Sequence, residues 1–397
     1  MQNLHQSWGL VMLCVGIVLG MILGVILRIN YFGAWWWVLL VIGVFVLMYL
    51  KPRFLTVGMC LIAGMVLAFF RVTVVLASDA EVELGVDAGT EELVASTRGW
   101  LAERIELALP KREAKLGMSY LLGMKNEIDK ELSKNLKAVG LTHIVVASGA
   151  HLSILVGIAR KIFGRISRFS GLLFSVLFIL FFMCMVGWTP SILRAGVMSI
   201  LTLFSWYVGR KIAPWRLILM TAAFTLMLNP MFLMSLGWLL SFASYAGIMI
   251  LGPELSRFFY REKKPGFLAS VILTTVAATL MTLPITLYYF GQVSLISVMA
   301  NLLILPTLSY AMGLVFLAGI FYGLPGVGMM VGFLAEKILD FHISVVEWFG
   351  EMEQFLIQID LYEPRVFLLY LTILVPMIWR GVKWFIDKRK RLDYNCE

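Results

Sequence analysis

The chain has 397 residues, 60% of them apolar and 14% charged, and its mean hydropathy is +0.90. Soluble domains are about 45–50% apolar and about 25% charged, so the composition excludes a soluble enzyme, a disordered chain and a small disulfide scaffold. Apolar stretches of about 20 residues recur along most of the length. They predict an all-α polytopic membrane protein with about 10–12 transmembrane or re-entrant helices and external amphipathic helices.

The net charge of +9 is unevenly spread. Residues 77–140 hold 9 basic and 12 acidic side chains, and the remainder holds 24 basic and 12 acidic. Lys and Arg concentrate in the cytoplasmic loops of membrane proteins, so the excess reads first as topology and only second as a nucleic-acid patch. Cys14, Cys60, Cys184 and Cys396 are scattered, with no CxxC or Cys/His cluster, and indicate neither a disulfide framework nor a zinc site.

In chain order, three apolar helices are predicted near 8–29, 34–50 and 54–76. The first is too long for a signal-peptide core. It has no Lys or Arg before it and no small-residue cleavage site after it, and so reads as a membrane helix. A polar segment, 77–140, is acidic from Ser78 to Glu92 and amphipathic later, where Ile128, Leu132, Leu136 and Val139 recur at helical spacing. Such helices suit a membrane surface or the mouth of a channel. Membrane helices resume near 141–159, 169–187, 190–209, 214–235, 236–251 and 266–290. The region 293–324 is long for one straight crossing, 326–349 is amphipathic, and 364–386 is apolar and followed by a basic tail. The organisation expected is an N-terminal segment (1–76), an external segment (77–140), a core with broken helices (141–324) and a C-terminal segment (325–397). Basic groups at Lys51/Arg53, Arg160–Arg168, Arg210–Arg216, Arg257–Lys264 and the tail fall on one side if both termini are cytoplasmic, which puts 77–140 outside. Twelve crossings fit if 293–324 and 326–349 each cross once, and ten if that pair is re-entrant.

Three clusters place polar groups where a bilayer disfavours them. The first, GLTHIVVASGAHLSI, brings His143, Ser148, Gly149 and His151 into an apolar helix. Ser-Gly can loosen a helix and expose backbone groups that need a partner or water; interhelical hydrogen bonding by small polar residues accounts for Ser153 taken alone, and the whole cluster reads as functional or pore-lining. The second, GWTPSILRAG, starts a helix at Pro190 and carries Ser191 and Arg194. An Arg near a helix centre costs about 2.5–3.5 kcal/mol on insertion scales. It either snorkels to the interface or faces an aqueous path, where it can pair with a phosphate. The third contains Thr282, Pro284, Thr286, Asn301 and Pro306, where proline kinks or breaks the helix. Broken helices are typical of transport pathways, and a purely architectural kink explains the prolines equally well.

No GxxxxGK[ST], HExxH or HxHxDH pattern occurs, so no ATP motor, metal, cofactor or catalytic residue is expected. Acidic residues are scarce in the apolar segments, which argues against a proton-coupled pump.

Four blocks in order, over roughly residues 116–324, resemble the ComEC family, the inner-membrane channel of bacterial natural transformation. GLTHIVVASGAHLSI is similar to its Gly-Leu-x-His and Ser-Gly-x-His pattern. GWTPSILRAGVMSILTLFSWYVGRK is similar to its Pro-Ser-x-x-Arg-Ala block, and LNPMFLMSLGWLLSFASYAGI to its Asn-Pro and Leu-Ser-Phe-x-Ala pattern. LPITLYYFGQVSLISVMANLLILP resembles the block ending Asn-Leu-Leu-x-x-Pro. The resemblance implies a channel in the bacterial cytoplasmic membrane that passes single-stranded DNA. Its path residues would be His143, Ser148, Gly149, His151, Pro190, Ser191, Arg194, Asn301 and Pro306. The implied partners are a separate DNA receptor, a nuclease and a cytoplasmic motor or helicase, besides membrane lipids. Larger members carry an external OB-like domain and a C-terminal metallo-β-lactamase-like domain. Here 77–140 is too short and too helical for the first, and the chain ends eleven residues after its last apolar helix, so no enzyme activity is expected. Two other readings fit a helical membrane chain of this kind: a small-molecule or lipid transporter, and a structural subunit that needs partners.

Overall fold

A computed structural model describes residues 3–26, 55–77, 88–124, 127–141, 152, 156–157, 159–161, 163–210, 212–260, 265–294, 296–352 and 356–358, with 368, 371–372 and 376. Among the described residues the protein is all-α apart from one short strand pair. The described residues pack as two units. One is drawn from Met1–Asp129, Thr142–Ser241 and Thr307–Ile343, the other from Lys130–Leu141, Phe242–Pro306 and Ser344–Glu397.

The first unit opens with helices α1 (Asn3–Ile26) and α2 (Leu55–Ala77). Gly16, Gly20 and Gly24 recur every four residues on α1 and face Leu61, Met65, Ala68 and Val72 of α2, while Gly64 of α2 faces Leu13 and Ile17 of α1. Without a solvent-driven hydrophobic effect inside lipid, helices associate by close backbone approach, which small residues permit. The approach here is close: a Cβ on Gly16 would lie 2.1 Å from the Leu61 carbonyl oxygen, and one on Gly64 2.2 Å from that of Leu13.

Helices α3 (Ala88–Ala108) and α4 (Lys111–Leu122) come from the polar segment. Pro110 breaks between them, and Gly123, with φ 70°, ends α4 in the left-handed conformation. Lys115 and Asp129 form an ion pair at 2.7 Å, and the lysine holds the Asp129 carboxyl below the ordinary carboxylate range. Helix α5 (Lys130–Ala138) belongs to the second unit; α6 (Arg168–Val186), α7 (Pro190–Val208) and α8 (Pro214–Leu228) continue the first. Ser167 and Ser170 form a capping box at the start of α6. Proline is the first residue of both α7 and α8, where its missing N–H costs nothing. On α6, Leu173, Leu177, Leu180 and Phe181 are exposed while Ser175, Ile179, Phe182 and Met183 are buried. An apolar outer face around a partly polar interior suits a helix that meets lipid.

A 3-10 turn (Pro230–Met234) leads into α9 (Leu236–Ala246), which continues through a π turn (Gly247–Leu251) into α10 (Gly252–Tyr260). Then come α11 (Phe267–Phe290), β1 (Gln292–Ser294), α12 (Ser297–Phe321), α13 (Val327–Gly350) and β2 (Leu356–Gln358). In the second unit, Leu251 packs with Ala277 and Met281 of α11, and β1 pairs antiparallel with β2, Val293 opposite Ile357. Among the described residues, five helical runs are long and apolar enough to cross a membrane: α6, α7, α9 through α10, α11 and α12. Shorter apolar runs lie in α1, α2 and α8.

The apolar residues of α3 and α4 are divided: Leu93, Trp100 and Leu107 of α3 are exposed, and others pack within the unit. Leu101 and Ile105 of α3 pack on Gly319 of α12, and Gly117 of α4 sits against Val315 and Leu339. Tyr120 of α4 also reaches His342 of α13 (Oη to Nδ1 3.4 Å), whose Nε2 lies 2.7 Å from Thr307 Oγ1 of α12. This buried polar chain gives the segment a specific seat, because each of its groups needs a partner away from water. One expectation is revised: α11 and α12 run through Pro284 and Pro306 without a break. Neighbouring groups can compensate for a proline in a membrane helix; the Thr282 and Thr286 hydroxyls beside Pro284 donate to the Ala278 and Thr282 carbonyls, each at 3.0 Å, and not to the Leu280 carbonyl that Pro284 frees. Irregular turns occur instead at Pro230–Met234 and Gly247–Leu251. The predicted helices 34–50, 141–159 and 364–386 lie wholly or largely outside the described residues.

Candidate functional site

The site is built on the first two turns of α7. Thr189 has an extended backbone and Pro190 sets the helical φ, so the helix starts sharply and Arg194 comes one turn in. Gly196, on the same turn, faces α6; a Cβ there would lie 2.3 Å from Met183 Sδ. This contact presses α7 onto α6, and Arg194 is only 7% exposed.

Arg194 is therefore turned into the packed unit. Its Nε donates to Ser241 Oγ of α9, and its Nη1 lies 2.9 Å from Met198 Sδ one turn along α7. Ser191 Oγ donates to the same Ser241 hydroxyl at 3.2 Å. A serine on α9 thus joins the hydroxyl and the guanidinium of α7. The Thr189 Oγ1 is also buried and has no hydrogen-bond partner among the described residues. A buried cation held by hydroxyl and thioether groups keeps a strong field toward any anion that reaches it. Chemically, a guanidinium set in this way is of the kind that can pair with an anion such as a phosphate.

The other residues are distributed differently. Pro190 and Ser191 lie with Arg194 as expected. Asn301 and Pro306 are on α12 in the second unit. Asn301 is buried and its Oδ1 has no partner among the described residues. His143, Ser148, Gly149 and His151 lie outside the described residues. Among the described residues, no group of three or more His, Cys, Asp or Glu side chains is placed to hold a metal ion.

Two residues escaped the sequence reading. Ser241 sits in an apolar helix, inside the Leu-Ser-Phe-Ala run, and was legible only as a small polar residue of the kind that packs helices. Arg71 interrupts the apolar run Phe69-Phe70-Arg71-Val72 and carried the same signal as Arg194. Its Nε donates to the Met227 carbonyl at 2.8 Å and its Nη2 to that of Leu228 at 2.7 Å, at the C-terminus of α8.

Long apolar helices, outward apolar faces and a buried Arg–Ser cluster define a multi-pass helical membrane protein with a polar centre inside its bundle. The competence protein family model matches residues 120–384, two thirds of the chain, and the chain belongs to that family. It is similar to ComE operon protein 3 of Bacillus subtilis, with 26% identity over 209 residues, which are 51% of this chain and 26% of that relative. The chain thus aligns with about a quarter of the relative's length. No solved structure matches it.

Proposed function

We propose that this chain forms a channel through which a single strand of DNA crosses the bacterial cytoplasmic membrane. A role in competence and DNA uptake is supported by the family and by the similarity to ComE operon protein 3. The observation that carries the finer reading is the buried Arg194, supported from α9 by Ser241, inside a family-matched segment of alternating apolar helices. A strand entering the membrane must keep its phosphates solvated or paired. A preset guanidinium lowers that cost by replacing water with a charge-assisted hydrogen bond. Asn301, buried in the second unit, has an amide oxygen with no partner among the described residues. Exposed aromatic residues do not carry the reading, since membrane proteins place them at interfaces for other reasons.

Inward drive comes from a partner in this reading, because the chain shows no nucleotide-binding pattern. A separate receptor delivers DNA and a separate nuclease removes the complementary strand. The purified chain is accordingly expected to leave end-labelled duplex and single-stranded DNA intact in Mg²⁺, Mn²⁺ or Zn²⁺. Metal-dependent cleavage that co-purifies with the chain through successive columns overturns that part.

Both termini are cytoplasmic and residues 77–140 external in this topology, on the alternation of basic loops. A single cysteine at position 90, in a background free of the natural cysteines, is expected to react with an impermeant maleimide from outside intact spheroplasts. Reaction only after the inner face is opened reverses the orientation. The direct test of function is uptake of end-labelled DNA by a strain lacking the protein. Label is expected to stop outside the cytoplasmic membrane, and undiminished entry of label into the cytoplasm refutes the channel.

A further inference from the structure

We infer that Arg71, on the N-terminal helix pair that precedes the family-matched region, is a positioning residue that holds Ser241 in register with Arg194. The chain of contacts lies within one packed unit. The last carbonyls of a helix have no partners within it and carry the negative end of its dipole. At the end of α8, Arg71 takes two of them, Met227 and Leu228, with one planar guanidinium. The next residue, Asn229, ends α8 and accepts from the Met231 N–H at 2.9 Å, which starts the 3-10 turn into α9. Trp238 on the first turn of α9 donates its Nε1–H back to Thr225 Oγ1 of α8 at 3.1 Å. Ser241, which accepts from Arg194 and Ser191, lies one turn further along α9.

The corner between α8 and α9 is therefore fixed at both ends. Arg71 pins the terminus of α8, and Trp238 ties the start of α9 to it. The direction in which α9 leaves that corner decides whether the Ser241 hydroxyl reaches α7. Arg71 suits this task better than a lysine, because two carbonyls one residue apart match the spaced donors of a guanidinium fork. The helix pair α1–α2, outside the residues that the family model matches, thus acts on the family core through a polar contact as well as by packing. The consequence for transport rests on the channel reading above; the positioning itself does not.

The test separates the two. The reporter is Ser191→Cys with Ser241→Cys in the full chain, with the four natural cysteines replaced by alanine. The two hydroxyl oxygens are 3.2 Å apart, so the thiols fall within reach of disulfide formation under mild oxidant. Cross-link yield in native membranes then reports the register of α9 on α7 without any DNA. Arg71→Gln is expected to lower that yield at least about threefold and Arg71→Lys to lower it less, while membrane abundance is unchanged. In the chain with its natural serines, Arg71→Gln is expected to reduce DNA uptake roughly tenfold, and adding Ser241→Ala is expected to cost little more, because both act through one contact. If Arg71→Gln does not accumulate in the membrane, Trp238→Phe removes the second tie and is expected to lower the cross-link yield in the same way. A wild-type yield in Arg71→Gln, or in Trp238→Phe when that variant has to be used, overturns the positioning role whatever happens to uptake. A reduced yield with undiminished uptake upholds the positioning role and removes the Arg194–Ser241 pair from the DNA path.

Discussion

Arg194→Gln is expected to abolish import of labelled DNA while expression and membrane insertion stay normal. The glutamine amide can still donate to Ser241 Oγ, so the contact between α7 and α9 survives and the change isolates the charge. A phosphate on the proposed path loses its charge-assisted partner, whereas basic groups elsewhere still hold DNA at the entrance. Transport is therefore affected more than binding. If one phosphate contact is lost, the salt dependence of single-strand binding falls by roughly 0.7 in slope. Arg194→Lys is expected to be partly active: it keeps the charge, but one ammonium cannot reproduce the planar fork that spans Ser241 and Met198. Uptake assays on the three chains at equal membrane abundance decide it. Import at the wild-type rate by Arg194→Gln makes Arg194 a helix staple and moves the path elsewhere.

Gly64→Leu is expected to be the most damaging single change in the N-terminal pair. A Cβ at position 64 would meet the Leu13 carbonyl oxygen at 2.2 Å and the Ile17 nitrogen at 2.9 Å. Both are backbone atoms of α1, so no side chain can rotate away. The helices have to separate, and the contacts along the Gly16–Gly20–Gly24 face are lost with them. Overpacking costs typically about 1–3 kcal/mol and occasionally more; the upper part of that range is expected where the obstacle is backbone. Thermal unfolding in detergent and membrane abundance measure it. Gly99→Ala is the matched comparison, because Gly99 lies on α3 with open space around it. There the substitution is expected to stabilise by up to about 1 kcal/mol through helix propensity. Wild-type stability in Gly64→Leu contradicts the close helix crossing.

The sequence by itself determined the class of the protein and the order of its helices. Length and uniform hydropathy are enough for that, since a bilayer demands internally bonded segments about 20 residues long. The predicted spans 169–187, 190–209 and 266–290 match α6, α7 and α11 to within a residue or so at each end, because Ser167, Pro190 and the glycines at 187, 209 and 291 punctuate them chemically. Arg194 was also legible as a residue out of place. Its environment was not: hydropathy cannot tell a cation at the interface from one turned inward. Only the packing of Gly196 on Met183 and the approach of α9 decided that Arg194 is buried against Ser241. The prolines show the same limit from the other side. Pro284 and Pro306 signal a possible break, but whether a helix breaks depends on which neighbours satisfy the freed carbonyls, and here the helices continue. The polar segment 77–140 reads as amphipathic in its later part because periodicity reveals an apolar face without naming what it meets. The tertiary structure seats part of that segment on α12 and α13, with the Tyr120–His342–Thr307 chain fixing the fit. Arg71 and Ser241 are 170 residues apart in the chain and meet the same corner only through the fold, since no local pattern encodes a hydrogen bond to the end of another helix.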